Sequence, residues 1–265
     1  MSALQAAEQN LQPLLPETLN ELEWWRQQER QATLWWRDDD AVADSPALRQ
    51  MLEISARNRV PLTLAVIPHG LENNLVSATE DCPDLTVMQH GYRHLNHSPA
   101  DQKKCELGDT RNPVELLTEL TAGRKILSDA FADRFVPALA PPWNRIGSII
   151  ATRLDEAGLT GLSLYGDKPA SVTDAITGRH THLDIIDWKG SRGFTGATAV
   201  DRLFATALRQ RREGKVEITA PIGLLTHHLV HDPAAWDFLD AFAAFARHNP
   251  ALICKSGTEV FAWIT

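Results

Sequence analysis

From about residue 33 to residue 232, apolar runs of strand length alternate with segments of helical period, and no other feature of this sequence constrains its fold as strongly. A chain patterned this way lays its strands side by side in a mostly parallel sheet and covers them with the intervening helices. Seven segments read as strands: Thr33–Arg37, Pro61–Ile67, Leu85–Gln89, Phe135–Ala140, Thr160–Tyr165, His182–Asp187 and Ile222–Thr226. That is too many for a simple sandwich of this length. Helices announce their starts between them, with Ser45 before Pro46, Asn112 before Pro113 and Asp232 before Pro233 each reading as an N-cap followed by a first-turn proline. Ser256 with Glu259 has the spacing of a capping box. An amphipathic stretch from Glu17 to about Gln31 precedes the first strand, while Leu71–Pro83 and Asn96–Arg111 read as loops. With no internal repeat and no low-complexity linker, residues 1–265 read as one domain carrying an N-terminal helical extension over 1–32.

A chain of 265 residues can bury roughly three quarters of its unfolded surface without disulfide staples. Its balance of 26 Lys plus Arg against 34 Asp plus Glu, a net charge of -8, would repel nucleic acid and anionic membranes, so neither is expected as a partner. Cys82, Cys105 and Cys254 form no CxxC pair and are odd in number, which points to reduced thiols. Residues 1–20 lack a cationic start and an apolar core, and no run approaches the ~20 apolar residues of a membrane span. A cytoplasmic protein acting on a small-molecule or oligosaccharide substrate is the expectation.

Three groups of residues could do chemistry. Asp38, Asp39 and Asp40 end the first apolar run, where like charges so close need a cation or a proton to compensate them. A solvated acidic turn would read the same way. His90 and His94 follow the third strand at a spacing that lets two imidazoles face one divalent ion, and the absence of Glu at position 91 removes the HExxH metalloprotease reading. His227 and His228 emerge from an apolar strand, where partial burial would tune an acid or base, although exposed residues at a helix entry are the plainer alternative. His180 and His182 have HxH spacing but read as strand-entry residues.

Order along the chain adds to this. Asp39–Asp40, His90 and His94, Pro141-Pro142-Trp143-Asn144, Asp184–Trp188 and Leu225-Thr226-His227 each fall at the C-terminal end of a separate strand, where α/β barrels place their chemistry. The succession resembles the polysaccharide deacetylase family, the carbohydrate esterases with a chitooligosaccharide-deacetylase domain, over about Thr33 to Asp232. The resemblance implies an α/β fold, a distorted (β/α) barrel of about seven parallel strands.

The family's first motif, Thr-Phe-Asp-Asp-Gly, overlays on Arg37–Ala41. The resemblance then implies Asp39 as general base and Asp40 as metal ligand; a frame one residue earlier would make them Asp38 and Asp39. The second motif, His-Ser/Thr-x-x-His, matches His90 and His94 with Gly91 in place of the hydroxyl residue, implying an Asp-His-His site for zinc, with nickel or cobalt fitting the same ligands. Ala140–Asn144 keeps the proline and an aromatic of the third motif but lacks its arginine, for which Arg37 or Arg145 would have to substitute. Residues i and i+2 of a strand share a face, so Arg37 could stand beside Asp39 if the strand runs that far. Asp184–Trp188 matches the fourth motif, implying that Asp187 holds the catalytic histidine and Trp188 walls the site. Leu225-Thr226-His227 matches the fifth, implying an acyl pocket lined by Leu225 and His227 as general acid, with His228 as the alternative. Pro142 and Trp143 join the substrate-binding set. The implied activity is metal-dependent removal of an acyl group, usually acetyl, from the nitrogen of an amino sugar or a related amide. A non-hydrolytic sugar- or metal-binding relative and a non-sugar amide hydrolase on the same fold remain the alternatives.

Overall fold

The computed structural model describes residues 15–167 and 172–262. Along the chain run α1 (Pro16–Gln27), β1 (Ala32–Ala41), α2 (Pro46–Asn58), β2 (Leu62–Val66), α3 (Asn73–Ala78), β3 (Leu85–His90), α4 (Pro113–Phe131), β4 (Phe135–Ala140) and α5 (Ser148–Ala151). They are followed by β5 (Gly161–Leu162), β6 (Thr177–Gly178), β7 (Leu183–Asp184), α6 (Ala197–Arg212), β8 (Ile222–Thr226), α7 (Pro233–His248), β9 (Leu252–Cys254) and α8 (Gly257–Phe261). The strand order is β6-β5-β4-β3-β2-β1-β8-β7, with β9 pairing β1. The pairs β1–β9, β3–β4, β4–β5, β5–β6 and β7–β8 are all parallel. Strands β2, β3 and β8 are buried at every residue, as expected of a parallel sheet covered on both faces.

The anticipated caps form. Ser45 accepts from Leu48 N–H at 3.0 Å, Asn112 from Val114 N–H at 2.9 Å and Asp232 from Ala235 N–H at 2.8 Å, each with a proline in the first turn. α8 starts directly after Ser256.

Several boundaries differ from those expected. The opening helix stops at Gln27, and Glu29 takes a left-handed conformation (φ 52°) on the way into β1. Leu71–Pro83 contains α3, which starts at Glu72 without a side-chain cap and so carried no local start signal. Thr160–Tyr165 and His182–Asp187 contribute only the two-residue strands β5 and β7. Strands β6 and β9 were not anticipated, because two or three residues paired to distant partners leave no periodicity to read. Among the described residues no helix is long and apolar enough to cross a membrane.

By proximity the chain groups into two compact units. One contains the described residues up to Arg37, Ser45–Leu62 and Thr181–Ser256; the other contains Asp38–Asp44, Thr63–His180 and the described residues from Gly257. Leu107, Leu116, Leu120, Leu139, Leu154 and Leu162 form a buried cluster in the second unit.

In the first unit the rings of Phe204, Phe238 and Phe245 each pack against that of Phe242. α1 docks on α6 of the same unit through a polar clamp. Buried Asp201 accepts from Glu17 N–H at 3.0 Å and Thr18 N–H at 2.8 Å, two of the donors that a helix N-terminus leaves unpaired. Glu21 pairs with Arg209 and Arg212, and the Arg212 guanidinium lies over the Trp24 ring. Burial pushes the Glu21 carboxyl up, but the hydrogen bonds from Arg212 and Arg209 outweigh it and hold the group below its ordinary 4.5. A carboxyl lowered on folding stabilises the folded state above its unfolded pKa, and that contribution is lost as the pH falls through the lowered value. Asp201→Ala should therefore cost about 1–3 kcal/mol in urea unfolding, since it strands buried N–H donors, and should make α1 the first site of proteolytic cleavage. Acidification from neutral pH to below 4.5 should weaken α1 docking in the wild type, seen as faster amide exchange in Glu17–Gln27. Unchanged exchange over that range would contradict the clamp.

Candidate metal centre

β1 stays extended through Asp38 and Asp39, both buried, and turns left-handed at Asp40 (φ 73°). β3 ends on His90, which pairs in register with Ala140 at the end of β4. His94 follows four residues later, also left-handed at φ 57°. These three side chains meet. Asp40 Oδ1 lies 3.1 Å from His90 Nε2 and 3.3 Å from His94 Nε2, and one ligand atom from each residue falls within 4.8 Å of the others. No other cluster of this kind occurs among the described residues. The carboxylate that reaches the two rings is that of Asp40.

The ring of His90 is oriented from behind. Its Nδ1 lies 2.9 Å from the Ala140 carbonyl, which can only accept, so Nδ1 carries a proton, and Nε2 is the nitrogen that would face an ion held with Asp40. Two imidazole nitrogens and a carboxylate oxygen are the donor set that zinc and its neighbours take, so the residues present fit a divalent ion. Burial holds the His94 ring below its ordinary 6.5, with His90 acting in the same direction and Asp40 and Glu106 opposing it.

The third-motif segment closes one side. Trp143 and Asn144 are both left-handed (φ 56° and 54°), and the Trp143 ring lies 4.5 Å from that of His94. Lys104 sits 5.7 Å from the Trp143 ring centroid. Buried Pro142 packs against Gly91 so closely that a Cβ on that glycine would lie 2.7 Å from its Cδ.

Residues of the first unit carry the remaining motifs. Leu225 is fully buried in β8 and pairs with Asp184 in β7. His227, just beyond β8, is half-buried while His228 is buried, and the ring against His227 is that of Trp188 at 4.6 Å. Trp188 Nε1 donates to Asp184 Oδ2 at 2.9 Å. The Asp187 carboxylate is engaged by its own turn, accepting from the N–H groups of Lys189, Gly190 and Ser191, and the bonds from Ser191 and Gly190 lead in holding it below the usual carboxylate range. His180 and His182 each use Nδ1 to accept a backbone N–H, from Leu164 and Gly223 respectively, which is the bonding of structural strand-entry residues. Arg37 is fully buried in β1, and that strand does run on past Asp39, so alternation puts the two residues on one face of it.

Two residues at this centre were not anticipated, Gln89 and Glu106. Gln89 Nε2 donates to the Gly91 carbonyl at 2.9 Å, and buried Glu106 accepts from the N–H groups of Tyr92 and Arg93. Glu106 falls in the stretch read as a surface loop; its one local signal is the apolar Leu107 beside it, which is also buried.

No family model matches this sequence and no curated protein matches it. Solved structures do. A candidate polysaccharide deacetylase from Mycobacterium smegmatis superposes with a TM-score of 0.63 at 15% identity, over 88% of this chain and 89% of that one. A family 4 carbohydrate esterase from Streptomyces lividans, solved with acetate, gives 0.52 at 14% identity over 85% and 91%. A family 4 pseudoenzyme from Bacillus anthracis gives 0.51 at 16% identity over 88% and 66%. The chain therefore has the fold of the family 4 polysaccharide deacetylases, the distorted (β/α) barrel expected from its motifs.

In metal-free protein, an NMR titration of the histidine ring carbons should show His94 protonating below 6.5. The unfolded chain then binds the proton first, so His94 subtracts stability as the pH falls below 6.5. A His94 midpoint at or above 6.5 would contradict the burial seen here.

Proposed function

We propose that this chain is a metal-dependent hydrolase that removes an acyl group, acetyl by preference, from the nitrogen of an N-acetylated sugar or a related amide. The observation that carries the reading is the meeting of Asp40, His90 and His94 at strand ends of a deacetylase fold. These three would hold the ion, zinc by preference, with nickel or cobalt suiting the same donors. When bound, such an ion polarises a carbonyl and lowers the pKa of water.

The chain's own residues supply the rest. Asp39 takes the proton of the attacking water, and His227 gives a proton to the departing amine nitrogen as the C–N bond breaks. Leu225 receives the acyl methyl, while Pro142, Trp143 and Trp188 contact the substrate. Arg37, on the same strand face as Asp39, stands in for the third-motif arginine. Asp187 acts at one remove, holding the turn that follows Trp188, whose ring lies against His227.

A second reading has its own observation. Ala140 stands where the third motif has arginine, and one fold neighbour is a pseudoenzyme, of which a mutant with restored activity is also a fold neighbour. A non-hydrolytic sugar- or metal-binding protein would retain the metal and turn nothing over.

Elemental analysis of protein purified without chelator should find about one divalent metal per chain. Asp39→Asn should abolish hydrolysis and keep the metal, whereas His94→Ala should lose both. An inactive, metal-loaded Asp38→Asn beside an active Asp39→Asn would move the base one residue back. In a screen of N-acetylated sugars against linear and cyclic amides, turnover of a sugar supports the proposal and turnover of amides alone points to a non-sugar hydrolase. Metal-loaded protein silent on both supports the non-hydrolytic reading.

A further inference from the structure

The backbone between the two candidate histidine ligands is held at four successive polar groups. The Gly91 carbonyl accepts from Gln89 Nε2, the Tyr92 N–H donates to Glu106 Oε2 at 3.2 Å, the Tyr92 carbonyl accepts from His69 N–H at 3.0 Å, and the Arg93 N–H donates to Glu106 Oε1 at 2.7 Å. Both oxygens of Glu106 are thus used on adjacent amides. The residue is only 1% exposed, and a carboxylate that dry is costly to bury unless charge-assisted hydrogen bonds compensate it. Its place in the fold is therefore well determined.

Gly91 shows why the carboxylate can come so close. It sits at φ +57°, and a Cβ there would lie 2.0 Å from Glu106 Oε2 and 2.7 Å from the Pro142 ring. The Glu106 carboxylate occupies the space that a side chain at position 91 would need. Position 91 is where the second motif of the resembled family carries a hydroxyl residue, so the departure from that motif and the presence of the buried acid are two sides of one arrangement.

We infer that Glu106 is a positioning residue for the metal site, fixing the Tyr92 and Arg93 amides so that His94 is delivered in its left-handed conformation beside His90 and Asp40. This rests on reading those three residues as metal ligands. Supports of this kind behind a ligand set typically change metal affinity ten- to a hundredfold when removed.

The test is the affinity of the metal-free full chain for Zn²⁺ and Co²⁺, measured by competition with a chromophoric chelator, with the visible spectrum of the Co²⁺ form reporting ligand geometry. Glu106→Gln keeps the shape but sets an NH₂ group against one of the two amides. It should bind both ions about ten- to a hundredfold more weakly, with an altered Co²⁺ spectrum and a native far-UV dichroism spectrum. Gly91→Ser should show the same loss. Adding Glu106→Ala to Gly91→Ser should cost less than the two single changes together, because the added Cβ no longer meets the carboxylate. Wild-type affinity and an unchanged Co²⁺ spectrum in both single variants, with only their melting temperatures lowered, would overturn the inference. Should Glu106→Gln not fold, Gly91→Ser decides by the same criterion. A wild-type chain that binds neither ion overturns the metal-site reading itself, which separates that failure from this one.

Discussion

Bringing a carboxylate and two imidazoles within 4.8 Å of one another places its main demand on the backbone that carries them. Asp40 and His94 have left-handed conformations, as do Trp143 and Asn144 beside them. Of the eight non-glycine residues with positive φ among the described residues, these four fall at one site. Each such residue costs on the order of 1–3 kcal/mol and persists only where its surroundings over-determine it. Here those surroundings are buried strands on one side and the hydrogen-bonded Gly91–Arg93 loop on the other. Local strain is thus carried where buried strand ends meet a hydrogen-bonded loop, leaving the side chains arranged before any ligand arrives.

The support is shared between motifs that lie far apart in sequence. Ala140 pairs with His90 across β3 and β4, and its carbonyl accepts from Nδ1 of that ring. The residue that lacks the third-motif arginine therefore still orients the second-motif histidine through its main chain. A change of side chain at 140 need not disturb this bond, because a carbonyl belongs to every residue. Pro142, two positions on, limits what position 91 can be. The second and third motifs behave as one packed arrangement rather than two independent signatures.

Much of this was readable in the sequence because it is local. Ser45-Pro46, Asn112-Pro113 and Asp232-Pro233 mark helix starts whatever surrounds them, since the cap is made within three residues. Strand ends bearing Asp40 and His90, with His94 four residues on, were visible as apolar runs meeting polar residues. Glu106 was not visible, because its role depends on burial against a loop 13 and 14 residues earlier, and the one apolar neighbour, Leu107, is too slight a signal to set it apart from a solvated acid. Asp187 shows the same limit: its motif position was legible, but not that its carboxylate would close on three amides of its own turn. β9 escaped notice because its pairing with β1 joins residues 32–34 to 252–254.

That last pairing bears on the order in which the protein can be made. β1, which carries Asp38–Asp40, is synthesised long before its partner β9. The Asp201 bonds that secure α1 likewise span 183 residues. At typical synthesis rates the apolar face of α1, with Leu22 and Trp25, waits roughly ten to forty seconds for α6 to appear. Until then the first helix lacks the partner that covers its apolar face, and β1, although it has β2 beside it, still waits for β8 and β9. Folding of this part of the molecule is consequently governed by closure of its longest loops.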